Sequence, residues 1–225
     1  MKPSISIIIP ALNEAAHLPR LLAQLAPLRE RGAQLIIADG GSDDGSPEQL
    51  AEQAQWLSAP RGRARQMNAG AALAHADVLW FVHADTQLPA AADQLIATAL
   101  ADAQHCWGRF DVAISGRPWM LKVVARMINW RSRLSGIATG DQGLFVRRST
   151  FIDLAGFADL PLMEDVELTT RLRNISPPVC IRERLITSGR RWEARGVWPT
   201  IFLMWRLRWA YWRGVPIEQI AEAYR

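Results

Sequence analysis

A carboxylate follows directly on an apolar segment of the chain. Residues 78–82 read Val-Leu-Trp-Phe-Val, and His83, Ala84 and Asp85 come next. Apolar runs of this length, bounded by turn residues, are typical of buried strands in a parallel sheet. Because open α/β sheets bind ligands just beyond the carboxyl ends of their strands, Asp85 is positioned to hold a metal and a phosphate.

Two more polar motifs follow predicted strands. Residues 10–14, Pro-Ala-Leu-Asn-Glu, come after the first strand, and residues 39–46, Asp-Gly-Gly-Ser-Asp-Asp-Gly-Ser, come after the second. A carboxylate such as Asp39 can accept a hydrogen bond from the imide N–H of uracil or a similar base edge, and adjacent glycines let the backbone approach a ligand. For residues 43–45 taken alone, the simpler interpretation as turn formers is favoured.

Three arginines lie at the start of a predicted helix over 62–75: Arg61, Arg63 and Arg65. The helix dipole disfavours cations at a helix N-terminus. This placement therefore makes better sense if an anionic ligand sits there. Solvated surface arginines are the alternative interpretation.

The first hundred residues alternate between strand and helix patterns with short links, and Pro10 is expected to close the first strand. Strands are predicted at 4–9, 34–38, 56–59 and 78–82, and helices at 14–28, 62–75 and 90–100, with one more that Ser46 caps. This order predicts a parallel sheet with right-handed crossovers. The less regular second half predicts an antiparallel or edge strand at 110–114, a helix at 118–134, a strand at 143–147 and a helix at 165–173.

The composition is that of one globular domain. The chain has 225 residues, of which 49% are hydrophobic and 21% charged. We expect one domain over 1–225, with a nucleotide-binding half (1–105), an acceptor-shaping half (106–195) and C-terminal helices (196–225). The sequence shows neither the roughly 18-residue apolar run of a membrane span nor a signal-peptide layout. Cys106 and Cys180 lack metal-type spacing and are expected to be thiols in a reducing cytoplasm.

The basic residues are unevenly placed. The net charge is +4, whereas residues 182–213 hold eight Arg and two Glu. The same region carries an aromatic stripe at helical spacing, formed by Trp198, Phe202, Trp205, Trp209 and Trp212. Packing in the core or against a second copy is the favoured interpretation of this stripe. An interfacial membrane helix is the alternative, because Trp and Arg suit lipid headgroups.

Taken together, the motifs resemble those of family 2 glycosyltransferases. The strand followed by P-x-x-N-E, the loop at 39–46, the Arg-rich helix that reaches Asn-Ala-Gly at 68–70 and the acid at position 85 carry the resemblance, which runs through most of the chain. It implies a GT-A fold, an α/β, Rossmann-like nucleotide-binding domain whose mostly parallel central sheet is flanked by helices. Residues 83–85, 140–143 and 190–192 carry a closer resemblance to the short, stand-alone members associated with radical-SAM/selenodomain proteins.

The resemblance implies a nucleotide-diphosphate sugar as donor, with a UDP-sugar favoured, and Mg²⁺ or Mn²⁺ as cofactor. Asp39 would contact the base, and Asp85 would be the last acid of the family's D-x-D metal motif. Two departures stand out, since His83 replaces the motif's first Asp and the loop has Asp39-Gly40 where two acids are usual. His83 is a candidate to ligate Mn²⁺ or to bond a phosphate or sugar hydroxyl, with packing at the strand end as the alternative. The other positions implied to line the nucleotide pocket are Pro10, Asn13, Glu14, Arg61, Arg65 and Asn68.

On the acceptor side, loss of the hydroxyl proton requires a carboxylate base near the anomeric carbon. The resemblance assigns this role to Asp165, and the transfer would then be a single displacement that inverts the anomeric centre. Stabilisation of a helix N-terminus is the alternative role for Asp165 and its neighbours. Paired arginines beside an aromatic residue suit a pyrophosphate. The positions implied to bind donor or acceptor are Asp141, Gln142, Glu164, Arg190, Arg191 and Trp192.

Two other function classes compete with sugar transfer. A nucleotidyltransferase would ordinarily have a Gly-, Arg- or Lys-rich loop after the first strand, where this chain has Ala-Leu-Asn-Glu at 11–14. A basic, Trp-rich module for nucleic acid or a membrane surface is disfavoured, because acids at several strand ends would repel phosphate. Neither G-x-G-x-x-G nor G-K-[ST] is present, which argues against a dinucleotide dehydrogenase or a P-loop enzyme. We therefore expect a cytoplasmic glycosyltransferase with no nucleic-acid partner and an unknown acceptor, and with a homodimer or a peripheral contact at the inner membrane face left open.

Overall fold

The computed structural model describes residues 3–224; Met1, Lys2 and Arg225, at the limits of the expected domain, lie outside the described residues. The first half consists of β1 (Ile5–Ala11), α1 (Leu18–Glu30), β2 (Gln34–Asp39), α2 (Ser46–Leu50), β3 (Gln55–Ser58), α3 (Arg63–Leu73), β4 (Val78–Phe81) and α4 (Ala92–Ala99). The second half consists of β5 (Trp107–Ser115), α5 (Met120–Ser135), a 3₁₀ turn (Gly140–Gln142), β6 (Phe145–Arg147), α6 (Arg148–Asp153), α7 (Glu164–Leu172), β7 (Val179–Ser188), α8 (Arg190–Arg195), α9 (Val197–Trp212) and α10 (Ile217–Tyr224).

One sheet of seven strands runs through the described residues in the order β3-β2-β1-β4-β6-β5-β7. β1 pairs parallel with β2 and β4, and β2 pairs parallel with β3. β6 lies antiparallel between β4 and β5, and β7 pairs parallel with β5. The predicted α/β class with a mostly parallel sheet is confirmed, and the carboxyl ends of β1, β2 and β4 lie side by side at one edge.

Helices cover both faces of the sheet and form two separate cores. On one face, α1 and α4 pack their buried leucines and Ile96 against the side chains of β1, β2 and β4. On the other face, α3 and α7 pack together with Phe151 and Phe157. The small residues of α3 allow a close approach to the sheet, since a Cβ on Gly70 would lie 2.6 Å from a methyl group of Ile8.

Three predicted boundaries are wrong. β1 does not stop at Pro10, because Pro10 still pairs with Ala38 of β2. On the other side of β1, the pairing with β4 ends at Ile8. The missing N–H of Pro10 therefore interrupts no hydrogen-bond ladder with β4. α1 begins at Leu18, because residues from Glu14 onward form a turn first. The residue that caps α2 is Gly45, not Ser46, and the helix is only five residues long.

β7 is not predicted by the sequence patterns, and β5 is not an edge strand. β5 pairs antiparallel with β6 on one side and parallel with β7 on the other. Of the two predicted possibilities, an antiparallel strand or an edge strand, the first is therefore the correct one. β7 carries Arg182, Glu183 and Arg184, all exposed, in its middle. A register shift between Phe110 and Asp111 lies opposite this charged segment. Charges on an outer strand protect the sheet edge from pairing with another chain, but they hide the strand from a search for apolar alternation.

A buried polar network fastens α5 to β5 at this register shift. The fully buried Arg109 side chain pairs with Asp111, which also accepts a hydrogen bond from Arg133 at 2.9 Å. The Asn129 side chain bonds both the N–H and the C=O of Val112, at 2.8 and 2.9 Å. α5 is therefore held rigidly by its inner face.

The C-terminal aromatic stripe does not lie in the core, contrary to one of the two favoured interpretations. Its five side chains on α9 are between 59% and 80% exposed. Within residues 3–224, no helix combines the length and the apolar character that a membrane crossing requires.

Candidate active site

The loops after β1 and β2 are tied to each other at the carboxyl edge of the sheet. The Asn13 side-chain oxygen accepts the N–H of Asp43 at 3.0 Å, and the Asn13 N–H donates to the Ser42 hydroxyl at 2.9 Å. The N–H of Ala15 donates to the Asp44 carboxylate at 2.7 Å. These contacts bring the two predicted nucleotide motifs together, and they give Asp43 and Asp44 the structural role that the simpler interpretation favours.

The Asp39 carboxylate organises its own loop. It is 8% exposed and accepts hydrogen bonds from the N–H groups of Gly41 and Ser42, each at 3.0 Å, and from the Ser42 hydroxyl. These bonds fix the loop beside Pro10 at the end of β1. The predicted contact with a base would use the remaining acceptor sites of this carboxylate.

Gln66 supports the same edge and is missed by the sequence patterns. Its buried side-chain amide donates to the C=O of Ala11 at 2.6 Å and to the C=O of Ala38 at 2.9 Å. α3 thereby caps the ends of both β1 and β2. In the sequence, the one indication of this contact with the strand ends is the position of Gln66, about one turn after Arg63 in α3.

Asp85 lies near charged side chains of two other segments, Arg190 at the start of α8 and Glu14 after β1. Its carboxylate lies 3.7 Å from the guanidinium of Arg190, the first residue of α8, and its side chain is 24% exposed. Burial raises the pKa of Glu14; His17 opposes this effect, whereas the nearby Asp85 charge adds to it. The structure thus gathers three predicted site residues, Glu14, Asp85 and Arg190, in one place.

His83 faces the loop before β6. Its Nδ1 lies 3.3 Å from a carboxylate oxygen of Asp141. Its Nε2 lies so close to Gly140 that a Cβ at that position would approach it to 2.7 Å. Desolvation disfavours the charged form of Asp141, but the hydrogen bond from His83, together with the charges of His83, Arg63 and Arg191, outweighs this effect and lowers the pKa of Asp141.

Asp165 lies at the start of α7, next to this pair. Its Oδ2 accepts the N–H of Gly140 at 2.6 Å, and its Oδ1 accepts the N–H of Val166 at 2.7 Å. Two backbone donors therefore fix the orientation of the carboxylate predicted to act as base. His83, Gly140 and Asp165 line one small pocket together with Arg63 and Glu164.

Glu164 is a buried acid, 2% exposed, and it lies 3.5 Å from the guanidinium of Arg63. Burial and the neighbouring Asp165 charge raise the pKa of Glu164 against the opposing effect of Arg63. Arg63 was predicted only as one of three arginines near an anionic ligand, and not among the residues implied to line the nucleotide pocket. Arg63 contacts Glu164 of the pocket, whereas Arg65 of the same motif pairs with Asp159 on the surface.

The other predicted binding residues differ in their surroundings. Gln142 is fully buried in the 3₁₀ turn, and its side-chain oxygen accepts the N–H of Thr139 at 3.2 Å. Asn68 bonds the N–H and C=O of Phe157 at 2.9 and 2.8 Å, so it holds the loop after α6. Arg65 pairs with Asp159 at 2.7 Å on the surface.

The three remaining predicted residues are Arg61, Arg191 and Trp192. Arg61 is exposed in the loop before α3. The guanidinium of Arg191 stacks over the Tyr224 ring at 4.2 Å from its centroid. Trp192 packs into an apolar cluster with α5 and α9, on the inner side of α8. Their predicted contacts with donor or acceptor remain predictions.

The residues around Asp85 fit a divalent metal that takes part of its ligand set from the substrate. In the part of the chain that is described, no three or more His, Cys, Asp or Glu side chains form a group able to hold a metal ion. Mg²⁺ and Mn²⁺ are commonly held by one or two carboxylates together with phosphate oxygens and water. Asp85, partly exposed at the strand end, supplies such a carboxylate, with His83 two residues before it.

A comparison with protein families decides the class. The model of the family described as "Glycosyl transferase family 2" matches residues 6–152. The chain belongs to glycosyl transferase family 2. The expected membership of this family is thus confirmed.

Curated relatives of this family 2 chain carry related names. It is 24% identical over 251 residues to the probable glycosyltransferase YdaM of Bacillus subtilis, covering 99% of this chain and 58% of that protein. It is 29% identical over 161 residues to the undecaprenyl-phosphate 4-deoxy-4-formamido-L-arabinose transferase of Proteus mirabilis, covering 64% of this chain and 48% of that protein. This glycosyltransferase chain spans 58% or less of either relative.

Solved structures of similar shape confirm the GT-A fold. The mannosyltransferase PcManGT of Pyrobaculum calidifontis, in complex with GDP-Man and Mn²⁺, superposes with a TM-score of 0.61 at 21% identity, covering 93% of this chain and 61% of that one. TarS 1–349 of S. aureus, in complex with UDP-GlcNAc, gives a TM-score of 0.63 at 16% identity, covering 82% of this chain and 58% of that one. At these identities the likeness establishes the fold of this family 2 member.

Proposed function

We propose that this glycosyltransferase moves a sugar from a nucleotide-diphosphate donor, a UDP-sugar in the first instance, to a hydroxyl acceptor with inversion of the anomeric centre. One observation carries the proposal. The Asp165 carboxylate is fixed by the N–H of Gly140 beside His83, while Asp85 and Arg190 lie at the adjoining end of β4. In the proposed arrangement, the base contacts His83 through Gly140, and the diphosphate-binding group lies at Asp85, two residues after His83 in the chain.

The donor half of the proposal uses the cross-tied loops. The base would lie against Asp39 and Pro10, with Asn13 and Glu14 closing the same pocket. Arg190 and Arg191 would receive the diphosphate, because paired guanidinium groups bind phosphate oxygens in a bidentate manner. Arg61 and Arg65 are proposed as weaker, exposed contacts to the same anion.

Asp85, assisted by His83, would hold the divalent metal, Mg²⁺ or Mn²⁺. When bound, such an ion neutralises the charge that develops on the departing diphosphate. The complexes of PcManGT with GDP-Man and Mn²⁺ and of TarS with UDP-GlcNAc support a nucleotide-sugar donor and a metal for this chain.

In the proposed reaction, Asp165 removes the proton of the acceptor hydroxyl. The acceptor oxygen then forms a bond to the anomeric carbon as the bond to the diphosphate oxygen breaks, and the diphosphate leaves with the electron pair. Asp141, Gln142 and Glu164 would orient the hydroxyls of donor sugar and acceptor. A carboxylate with both oxygens aligned by backbone donors is suited to a positioned base.

The proposal includes the cellular location of the protein and its contacts with a membrane or a second copy. Cys106 and Cys180 are free thiols, in keeping with a reducing cytoplasm. The aromatic stripe of α9 was expected to pack in the core or against a second copy, but its side chains are exposed, and we propose instead that they lie at the inner membrane face. We also propose that the chain belongs to the short, stand-alone subgroup associated with radical-SAM/selenodomain proteins. The resemblance of residues 83–85, 140–143 and 190–192 to that subgroup supports this assignment.

Thermal unfolding with a panel of nucleotide-sugars and Mn²⁺ or Mg²⁺ tests the proposal, because a ligand that binds the native state raises the midpoint. We expect a metal-dependent rise with UDP-sugars that is lost in Asp85→Ala and kept in Asp153→Ala, an exposed acid at the end of α6. The absence of a shift with any nucleotide-sugar would remove the donor assignment.

A further inference from the structure

A second apolar stripe lies exposed on α5 and on the residue before it. Trp119, Val123, Met127, Trp130 and Leu134 are 70%, 39%, 53%, 58% and 69% exposed. Their spacing of four, four, three and four residues places them on one side of the helix. The opposite side is buried through Leu121, Val124 and Ala125. α5 is therefore apolar on both sides, which packing within the domain does not explain.

The stripe on α9 has the same character. Its aromatic side chains are 59%, 62%, 66%, 59% and 80% exposed, from Trp198 to Trp212. The inner side of this helix is anchored through Thr200 and Leu207. Phe202 and Trp205 make an edge-to-face contact with ring centroids 6.3 Å apart, and no other ring contact among the five is seen within residues 3–224.

The two helices are neighbours. Leu121, Val124 and Ala125 of α5 form one cluster against which Val197 and Ile201 of α9 pack. Both helices turn their inner sides toward this cluster, and both exposed stripes lie on the opposite sides of their helices. We call α5, Trp119 and α9 together the aromatic layer.

The aromatic layer is basic and free of acids. The sequence contains no Asp or Glu between Asp111 and Asp141, or between Glu193 and Glu218. The exposed charged side chains of α5, of α9 and of the residue that ends α9 are Lys122, Arg126, Arg133, Arg206 and Arg213, of which Arg133 is paired with Asp111 of β5. The guanidinium of Arg213 lies over the Trp209 ring at 5.1 Å from its centroid, so cation and aromatic ring present one joint surface.

We propose that the aromatic layer docks on an anionic lipid bilayer, with α5 and α9 lying in the headgroup region. Helices with Trp on an exposed side and Arg or Lys around it are suited to this position. Anionic headgroups attract each juxtamembrane cation. This proposal extends the peripheral location given to α9 alone, and it depends neither on the donor nor on the reaction.

Charge favours a bilayer over a second copy of the chain as the occupant. In a two-fold dimer the same patch faces itself, so the cations of one layer would meet those of the other without an acid between them. Interfaces between proteins are depleted of charge at their centre. A bilayer with anionic lipids supplies the opposite charge and an apolar boundary at once.

Flotation of the full chain with vesicles tests the proposal. We expect the chain to float with vesicles of phosphatidylcholine and phosphatidylglycerol in equal parts, and to float far less with phosphatidylcholine alone or at high salt. Trp205→Ser/Trp209→Ser on α9 and Met127→Ser/Trp130→Ser on α5 should each weaken the partition by about tenfold or more. Ile152→Ser/Ile175→Ser, at 56% and 55% exposed positions outside the layer, should leave it unchanged.

Three results would overturn the proposal. The first is equal flotation with neutral and anionic vesicles, and the second is wild-type flotation of the α5 variant. The third is a dimer in solution, measured by light scattering, that the same substitutions convert into a monomer. Because all substituted side chains are exposed, circular dichroism and the thermal midpoint should show folded variants. A chain that floats but binds no nucleotide-sugar would leave this proposal intact while removing the proposed function.

Discussion

The backbone N–H of Gly140 donates to the Asp165 carboxylate at 2.6 Å, and this bond joins the loop before β6 to the first turn of α7. The other carboxylate oxygen accepts the N–H of Val166. Hydrogen bonds to an ionised acceptor are about twice as strong as neutral ones. The two bonds together restrict Asp165 to one orientation, which is what a positioned base needs.

Replacement of Asp165 by Asn should remove the base while keeping the size of the side chain. We expect kcat to fall by about 10² to 10⁴, the usual contribution of general acid–base catalysis, with little change in donor KM. Steady-state transfer to the acceptor measures this. Asp153→Asn, at an exposed position, is the matched control. A variant that retains most of its turnover would show that another group takes the proton.

Gly140→Ala should disturb His83 rather than the backbone. A Cβ at this position would lie 2.7 Å from the His83 Nε2 and 3.6 Å from an Asp165 oxygen. We expect Gly140→Ala alone to lower kcat. In a His83→Ala background the same substitution should cost less, because the imidazole that the new Cβ would clash with is absent. A double-mutant cycle on kcat/KM measures the coupling. Strictly additive losses would contradict the steric explanation.

Glu164→Gln should alter the dependence of stability on pH. The pKa of Glu164 is raised above its ordinary 4.5 in the folded chain, so the native state binds the proton more tightly than the unfolded state does. Stability is therefore lost as pH rises from 4.5 through the folded pKa. Relative to wild type, the variant should gain unfolding free energy over this interval and keep the gain at higher pH.

Urea unfolding between pH 4 and 8 measures this difference. Glu222→Gln, an exposed position on α10, should give a flat difference across the same range. A gain for Glu164→Gln at low pH only would have the wrong sign and would refute the buried-acid interpretation.

Gln66→Ala should destabilise the fold at the donor edge. The Gln66 amide is buried and satisfies the carbonyl groups of Ala11 and Ala38. Removing a buried partner costs about 1–3 kcal/mol for the groups left unpaired. We expect a loss of this size in urea unfolding and weaker donor binding. Gln94→Ala, exposed on α4, should change stability by less than about 0.5 kcal/mol.

The parallel half of the sheet could be predicted because its strands are apolar runs closed by polar loops. The positions of Asp39 and Asp85 at strand ends followed from that pattern alone. The edge strand β7 could not be predicted, because Arg182, Glu183 and Arg184 break its alternation. Pro10 was expected to end β1, and only the earlier end of β4 explains why it does not.

The contacts within the site depend on packing that spacing does not encode. Arg63 and Gln66 lie on α3 near the predicted Arg61 and Arg65, but the packing of this helix against β1 and β2 decides which side chains reach inward. The outward-facing stripe of α5 was missed for a related reason. An apolar residue in a helix is ordinarily assigned to the core, and α5 carries apolar residues on both sides.

The crossed hydrogen bonds between the loops at 10–15 and 39–46 have a kinetic consequence. Asn13 and Asp44 each hold the backbone of the opposite loop, so neither loop must become ordered when a donor arrives. Partners that change shape little on binding associate at a rate governed by diffusion, orientation and charge. Capture of the nucleotide should therefore occur in one phase, with salt rather than loop motion controlling its speed.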